Sequence, residues 1–236
     1  MPTFNQLIRK QNQHLPTVLI AVPCHRQVFT DTMTCVVNIM QSKAYRSRVM
    51  FHQGGLIHRA RNTVAEYFLN HEEKPDYLLF VDDDMVFQGN ALEQLLADHK
   101  DIVTGNAFTR KFPVRPVVGH FDEERLGRVN TLVEYQKDTL QPVDSCGMAF
   151  TLISRRAMEQ VVAVNKHPFN FVYFPETDGE LPEDSAFCWW AKKAGLQVWL
   201  DSRVQIGHIG SIIYDEVDYE AGKDQLIKLM EGENNN

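Results

Sequence analysis

The stretch Asp76-Tyr77-Leu78-Leu79-Phe80-Val81-Asp82-Asp83-Asp84-Met85-Val86 decides the fold. Five consecutive apolar or aromatic residues, Tyr77 to Val81, run straight into three carboxylates. The run is too short for a helix and has no polar alternation. It reads as a strand buried on both faces, as in a parallel sheet covered by helices. The carboxylates then stand at the strand's carboxyl end, where open α/β sheets place their ligands. Three adjacent acids repel one another, and a hard divalent cation such as Mg²⁺ or Mn²⁺ relieves that repulsion and in turn holds phosphate. The competing reading is a solvated turn capping a helix that starts near Gly89, although a cap needs one acid and this strand end offers three.

Upstream, Thr17 to Pro23 is another continuous apolar run, and it ends in the loop Pro23-Cys24-His25-Arg26. A helix is expected over 30–42, a strand over Tyr45–Gln53 closed by Gly54-Gly55, and an amphipathic helix over Leu56–Asn70. In that helix Ala60, Val64 and Phe68 form the buried stripe. Arg61 falls on its border, placed to pack its stem on the core and aim its head into a crevice. Downstream the pattern gives a helix near 89–98, a strand over Asp101–Thr104 and a loop from Gly105 to Pro116 carrying Arg110 and Lys111. Antiparallel strands are expected over Val117–Phe121, Val129–Lys137 and Gln141–Val143, then a core strand at Gly147–Ile153 and a helix starting at Ser154. Residues 164–182 read as a long irregular segment, which in a compact domain is usually functional or a lid. A helix over Asp184–Ala194 stops at Gly195, and strands at Leu196–Leu200 and Val204–His208 precede a helix over Asp215–Met230. With no repeat and no linker, the expected organisation is a polar leader (1–16), a single α/β domain (17–230) and a disordered tail (231–236).

Bulk properties narrow the function classes. The 236 residues suit one medium domain, and a net charge of −7 argues against a broad nucleic-acid footprint. The four cysteines, Cys24, Cys35, Cys146 and Cys188, show no CxxC pair and no zinc spacing, so buried apolar roles suffice. The first residues are too polar for a signal peptide and no apolar run reaches membrane-spanning length, which makes the reducing cytoplasm the expected compartment.

Three features then stand in a meaningful order: Asp82-Asp83-Asp84, Glu183-Asp184 and His208. A cation held by Asp84 and His208 suits Mn²⁺, which accepts oxygen and imidazole. Asp184, at a helix start, is placed to take a proton from an attacking hydroxyl. Each also has a plainer reading. Glu183 and Asp184 complement a helix dipole, His208 is a satisfied histidine, and Arg61 pairs with a nearby acid. Trp190 belongs to the core stripe of its helix, whereas Trp189 faces another side and either stacks on an acceptor sugar or covers surface. Lys111 and Arg110 either touch phosphate or are solvated.

The pieces VLIAVPCHR, ARN at 60–62, LLFVDDDM, CGMAF, PEDSAFCWWAKKAGLQVWLD and IGHIG, in this order across residues 17–210, resemble GT-A-fold glycosyltransferases. Small soluble bacterial and phage members are the most similar. The resemblance implies a GT-A-type, Rossmann-like fold, with a mostly parallel central sheet flanked by helices and a few added antiparallel strands. It implies a nucleoside-diphosphate-sugar donor, a UDP-sugar foremost, and Mn²⁺ or Mg²⁺. Asp82 would face the nucleotide ribose, Asp84 would ligate the metal with His208, and Asp82 would stand close enough to share it. Asp184, beside Glu183, would be the base of an inverting transfer. Pro23, Cys24, His25, Arg61, Asp83, Lys111 and Gly147 would line the donor, and Trp189 the acceptor. The loop HRQV at 25–28 departs from the family's frequent polar-aromatic-Asn pattern, which leaves the nucleobase open. The acceptor hydroxyl is equally open among a glycan, a protein, a small molecule and a modified DNA base.

Rivals fare worse on the residues. A sugar nucleotidyltransferase wants a glycine-rich basic loop after its first strand, where this chain has PCHRQ. A haloacid-type phosphatase wants a Thr or Ser strand end and a later Lys, an order not found here. A non-catalytic nucleotide-sugar-binding protein of the same fold is disfavoured by intact Asp84, Asp184 and His208.

Overall fold

In the computed structural model, which describes residues 15–210 and 213–233, the chain opens with β1 (Thr17–Cys24), α1 (Thr30–Met40), β2 (Arg46–Gln53) and α2 (Ile57–Asn70). The quoted stretch follows as β3 (Tyr77–Val81), an acidic turn, and β4 (Met85–Phe87), leading to α3 (Ala91–Ala97) and β5 (Ile102–Ala107). A middle section holds β6 (Val118–Phe121), β7 (Val129–Thr131), β8 (Leu140–Val143) and β9 (Ser145–Cys146). The chain continues with β10 (Phe150–Ser154), α4 (Arg155–Val164), β11 (Val172–Phe174), β12 (Gly179–Leu181) and α5 (Glu183–Lys193). It ends with β13 (Val198–Ile209), β14 (Ile213–Tyr214) and α6 (Glu216–Glu233).

The main sheet runs β14-β13-β5-β10-β3-β1-β2, with β4 and β8 also paired to β13. β1 is parallel to both β2 and β3, and β13 is parallel to β5. One central strand breaks the pattern: β10 lies antiparallel between β3 and β5. This is the α/β, GT-A-type arrangement that the sequence resemblance implied, a mostly parallel sheet between helices with antiparallel additions.

The unbroken apolar runs are explained by burial on both faces. Leu19 and Ala21 of β1, with Leu78 and Phe80 of β3, point to a core built with Val64, Ala65 and Phe68 of α2, Met158 of α4 and Phe187 of α5. Their alternates Val18, Ile20, Val22, Leu79 and Val81 point to the opposite core, with Val36 and Ile39 of α1 and Leu92 and Leu95 of α3. Alternation along a strand delivers every other side chain to each layer. α4 starts where a serine can cap it: Ser154 Oγ accepts from the Ala157 amide at 3.0 Å and donates to Asp101 at 2.6 Å. α6 packs over a smaller cluster of Phe108, Val114, Val133, Tyr219 and Leu226.

Several boundaries differ from the sequence expectation. The strand expected over Val129–Lys137 stops at Thr131, because the chain then turns to meet α6, where the Tyr219 hydroxyl donates to the Val133 carbonyl. The two strands expected at 196–200 and 204–208 are one, β13, with a register shift between Asp201 and Gln205. The buried Asp201 carboxylate holds that irregularity by accepting from the Arg203 amide at 2.9 Å and from Arg203 Nε at 2.7 Å. All four cysteines are free, and Cys146 and Cys188 are buried between β9 and α5. The expected leader lies outside the described residues except for its last two positions. α6 runs past Met230 to Glu233, and the rest of the expected tail is likewise outside them.

The segment expected to be irregular, 164–182, contains the β11–β12 ribbon. It is clamped to the loop at 126–127. The Thr177 hydroxyl donates to the Leu126 carbonyl at 2.5 Å, and a side chain added at Gly179 would begin 2.1 Å from the same oxygen. Gly179→Ala is therefore expected to lower the unfolding free energy by about 1–3 kcal/mol in urea denaturation, because backbone has to shift to admit the methyl group.

Candidate active site

The carboxyl ends of the parallel strands β1, β2 and β3 open on one cleft of ≈ 340 Å³. β1 and the loop after it contribute Pro23, Cys24 and His25, and the turn after β2 contributes Gly54 and Gly55. α2 supplies Ile57, Ala60 and Arg61, and the acidic turn supplies Asp82, Asp83 and Asp84. Arg110, Glu183 and His208 close it.

The acidic turn is fixed by backbone bonds to three other segments. The Asp82 amide donates to Ala149, ahead of β10. The Asp83 carbonyl accepts from Phe29 at the start of α1, and the Asp84 carbonyl accepts from Ile209 at the end of β13. Each carboxylate then has its own environment. Asp82 takes Arg61 Nη2 at 3.0 Å. Asp83 accepts the His25 backbone amide, and its acidity is weakened by burial first and by Asp84 and Asp82 next. Asp84, buried, faces His208 and Arg110.

β13 carries His208 alongside Met85 of β4, within reach of Asp84. His208 Nδ1 stands 2.7 Å from the Phe108 carbonyl, which can only accept, so Nδ1 carries the proton. In the neutral ring Nε2 then presents a lone pair to Asp84 Oδ2, 3.3 Å away. Two acceptors facing each other suit a cation, and a backbone carbonyl fixing the far ring nitrogen is the usual support of a metal-binding histidine. Among the described residues no group of three His, Cys, Asp or Glu side chains is arranged to hold a metal ion. A two-residue donor set leaves the other coordination positions to phosphate oxygens and water, as Mg²⁺-like sites do. Asp84 and His208 therefore fit such a cation, whereas Asp82 is engaged by Arg61.

Arg61 is the structural hinge of the site. Expected at the edge of its helix's stripe, it is buried inside it, 3% exposed. Its guanidinium reaches Asp82, lies 3.7 Å through Nε from Glu183, and sits over the Phe80 ring. Nε has no hydrogen-bond partner despite being buried, which leaves one donor of a cleft-lining cation unspent.

Glu183 and Asp184 occupy the first turn of α5, after Pro182 as N-cap. Their charge complements the helix dipole, so part of the plainer reading holds. Glu183 lines the cleft, and Asp184 stands beside it, with Oδ1 accepting the Ser185 amide at 2.7 Å. Burial, then the neighbouring Glu183 charge, push Asp184 up to about 6, against an opposing pull from Arg61. A carboxylate with that acidity is close to the range useful for proton transfer near neutrality.

Not every expected residue joins the cleft. Lys111 is exposed outside it, and its neighbour Arg110 enters instead. Gly147 lies behind Asp184, where an added side chain would start 3.7 Å from Asp184 Oδ2. Trp189 is wedged edge-on between Phe121 and Phe174, with Lys193 over its ring, and does not line the cleft. Trp190 is partly buried against the core, as its stripe position implied. Gly54, Gly55 and Ile57 are additional lining residues. Their signal was present, since the loop after a parallel strand next to β1 has to open on the same edge. A larger cavity of ≈ 560 Å³ between α2 and α4, lined by Arg59, Glu66, Lys166 and His167, contains none of these carboxylates.

No family profile and no curated protein sequence matches the chain. Solved structures do. A197 from STIV superposes with a TM-score of 0.51 at 16% identity, covering 82% of this chain and 86% of that one. The catalytic domain of Drosophila beta1,4galactosyltransferase 7, solved with xylobiose, gives 0.48 at 13% identity over 83% and 71% of the two chains. A glycosyltransferase involved in glycosylation of the major capsid of PBCV-1 gives 0.36 at 13% identity over 78% and 93%. At these identities the first of them establishes a shared fold.

Proposed function

We propose that the chain is a glycosyltransferase that moves a sugar from a nucleoside-diphosphate sugar, a UDP-sugar foremost, to a hydroxyl acceptor with inversion. The observation that carries this reading is convergence. Residues 61, 82–84, 183 and 208, far apart in sequence, line one cleft at the carboxyl edge of the sheet, and Asp184 lies just outside its lining, near enough to feel the charges of Glu183, Arg61 and Asp82.

The cleft suits the donor. Arg61, with its unspent Nε donor, and Arg110 supply positive charge for a diphosphate, while Asp82 and Asp83 supply acceptors for sugar or ribose hydroxyls. Asp84 and His208 are the residues that would hold Mn²⁺ or Mg²⁺. When bound there, such an ion neutralises charge on the leaving diphosphate as a Lewis acid.

In the transfer, the acceptor oxygen attacks the anomeric carbon, the new C–O bond forms, and the bond to the diphosphate breaks with its electron pair leaving on phosphate oxygen. The acceptor's proton passes to Asp184, whose raised pKa keeps it a competent base without trapping it protonated above pH 7. Arg61 holds the carboxylates in register and prevents Glu183 and Asp82 from raising Asp184 further. Because Glu183 faces the cleft directly, it is the second candidate for the base. Among the described residues no helix is long and apolar enough to cross a membrane.

Turnover of a donor panel tests this reading. UDP-, GDP-, CDP-, ADP- and TDP-sugars are incubated with Mn²⁺, and release of nucleoside diphosphate is followed. Release from one nucleotide class is expected, with roughly a hundredfold loss in Asp84→Ala, on the scale of removing one group that stabilises developing charge. No release from any donor, with or without candidate hydroxyl acceptors, would contradict it.

A further inference from the structure

We propose that Arg110 is the resident counter-ion of the cation site: its guanidinium holds Asp84 in the free protein, gives that carboxylate up to a divalent cation, and moves onto the diphosphate. This rests on the metal-assisted reading above and adds to it an internal competitor for the metal.

Arg110 Nη1 lies 2.6 Å from Asp84 Oδ2, the same oxygen that stands 3.3 Å from His208 Nε2. The atom best placed to ligate a cation with His208 is thus already charge-paired. A short guanidinium–carboxylate bond and a metal–carboxylate bond at one oxygen compete for the same negative charge.

The two arginines of the cleft differ in their freedom to move. Arg61 is buried, fixed between Asp82 and Glu183. Arg110 has a side chain 50% exposed, so leaving Asp84 returns it to water with little loss of packing. The loop that carries it is closed at its base. The Thr109 amide donates to the Arg115 carbonyl at 2.9 Å, and the Arg115 amide donates to Thr109 Oγ1 at 3.1 Å. Phe112, two residues on, lies against Gly222 of α6. The frame is held, and the side chain is the moving part. Its planar fork matches phosphate oxygens as well as it matches a carboxylate.

Cooperativity between metal and nucleotide follows. A cation arriving alone has to displace Arg110, whereas a diphosphate arriving with it offers Arg110 a new partner. By linkage each ligand then raises the affinity for the other.

The test uses Mn²⁺ alone, followed by the electron paramagnetic resonance signal of the free ion, on the full chain and three variants. Arg110→Met is expected to bind Mn²⁺ about tenfold more tightly than the parent, within the usual range of coupling between sites. Arg110→Lys, which keeps the charge, is expected to stay near the parent value. Asp84→Asn is expected to lose binding. Equal or weaker Mn²⁺ affinity in Arg110→Met, with binding still lost in Asp84→Asn, overturns the competitor role and leaves the metal site standing. Absence of Mn²⁺ binding in the parent and in Arg110→Met overturns both. Thermal unfolding of each variant confirms that it is folded.

Discussion

Asp184→Asn is expected to reduce sugar transfer by about 10²–10⁴-fold, the usual contribution of a positioned base, while leaving nucleotide binding intact. The substitution keeps the shape of the side chain and its oxygen for the Ser185 amide, and removes only the proton-accepting charge. Glu183→Gln separates the two candidates. If Asp184 is the base, this variant retains transfer. Its pH midpoint moves down, because the Glu183 charge is the second cause, after burial, of the raised Asp184 pKa. In the parent, the transfer rate is expected to rise through about pH 6 and level off above it, since the base works ionised. Full activity in Asp184→Asn, with loss in Glu183→Gln, would assign the proton to Glu183.

The same group makes a stability prediction of opposite sense. Its folded pKa, about 6, exceeds the ordinary carboxylate value. The folded state therefore binds the proton more tightly than the unfolded chain. The associated stability is fully present below about pH 4 and is lost as pH rises through 6. Asp184→Asn escapes that loss. It is expected to be more stable than the parent at pH 7.5 by about 1–3 kcal/mol, since each pKa unit is worth about 1.4 kcal/mol, with no such gain at pH 4. A site that becomes inactive and more stable on one substitution carries strain for function.

Arg61→Ala is expected to be the most destabilising change in the cleft, costing about 3 kcal/mol at pH 7.5 in urea denaturation, the scale for removing one partner of a buried ion pair. It leaves Asp82 and Glu183 without their shared cation and withdraws the group that opposes the rise in the Asp184 pKa. Acid relieves the damage. With Arg61 gone Asp184, whose raised pKa Arg61 opposes, binds its proton more readily when folded, so the deficit is expected to shrink by pH 5. A pH-independent loss would mean that packing on Phe80, and not charge, is what Arg61 provides.

The frame of the fold was legible because burial on both faces leaves an unmistakable mark, as at Tyr77–Val81 and Thr17–Val22. That same mark hid the direction of β10. An apolar run reads alike in either orientation, and the chain reverses there between β3 and β5. The acidic turn stood out because one strand end carries three carboxylates where a helix cap needs one, whereas His208 taken alone also read as an ordinary satisfied histidine. The pairing of Asp84 with His208 was expected from their donor chemistry and the resemblance; what was not legible was its means, because 124 residues separate them and the β4–β13 ladder brings them together.

Arg61 was placed one notch too far out. Helical periodicity gives a side chain's angle, and what decides its depth is its partners on other elements, here Asp82 and Glu183. The loop after β5 shows the limit most plainly. Arg110 and Lys111 are neighbours without periodicity to orient them, and the closure of Thr109 on Arg115 accompanies Arg110 on the cleft side and Lys111 in solvent. Trp189 was ambiguous for a similar reason. Its helix face was correctly read as distinct from that of Trp190, but the rings that cover it come from β6 and β11.

The most direct measurement is thermal unfolding of the full chain with UDP, GDP, CDP, ADP and TDP, each with and without Mn²⁺. A ligand that binds only the native state adds about 2.7 kcal/mol at a hundredfold excess over its dissociation constant. The expected result is a stabilisation by one nucleotide that appears only with Mn²⁺ and disappears in Asp84→Ala. No stabilisation by any nucleotide in either condition would contradict a nucleotide-sugar site at this cleft.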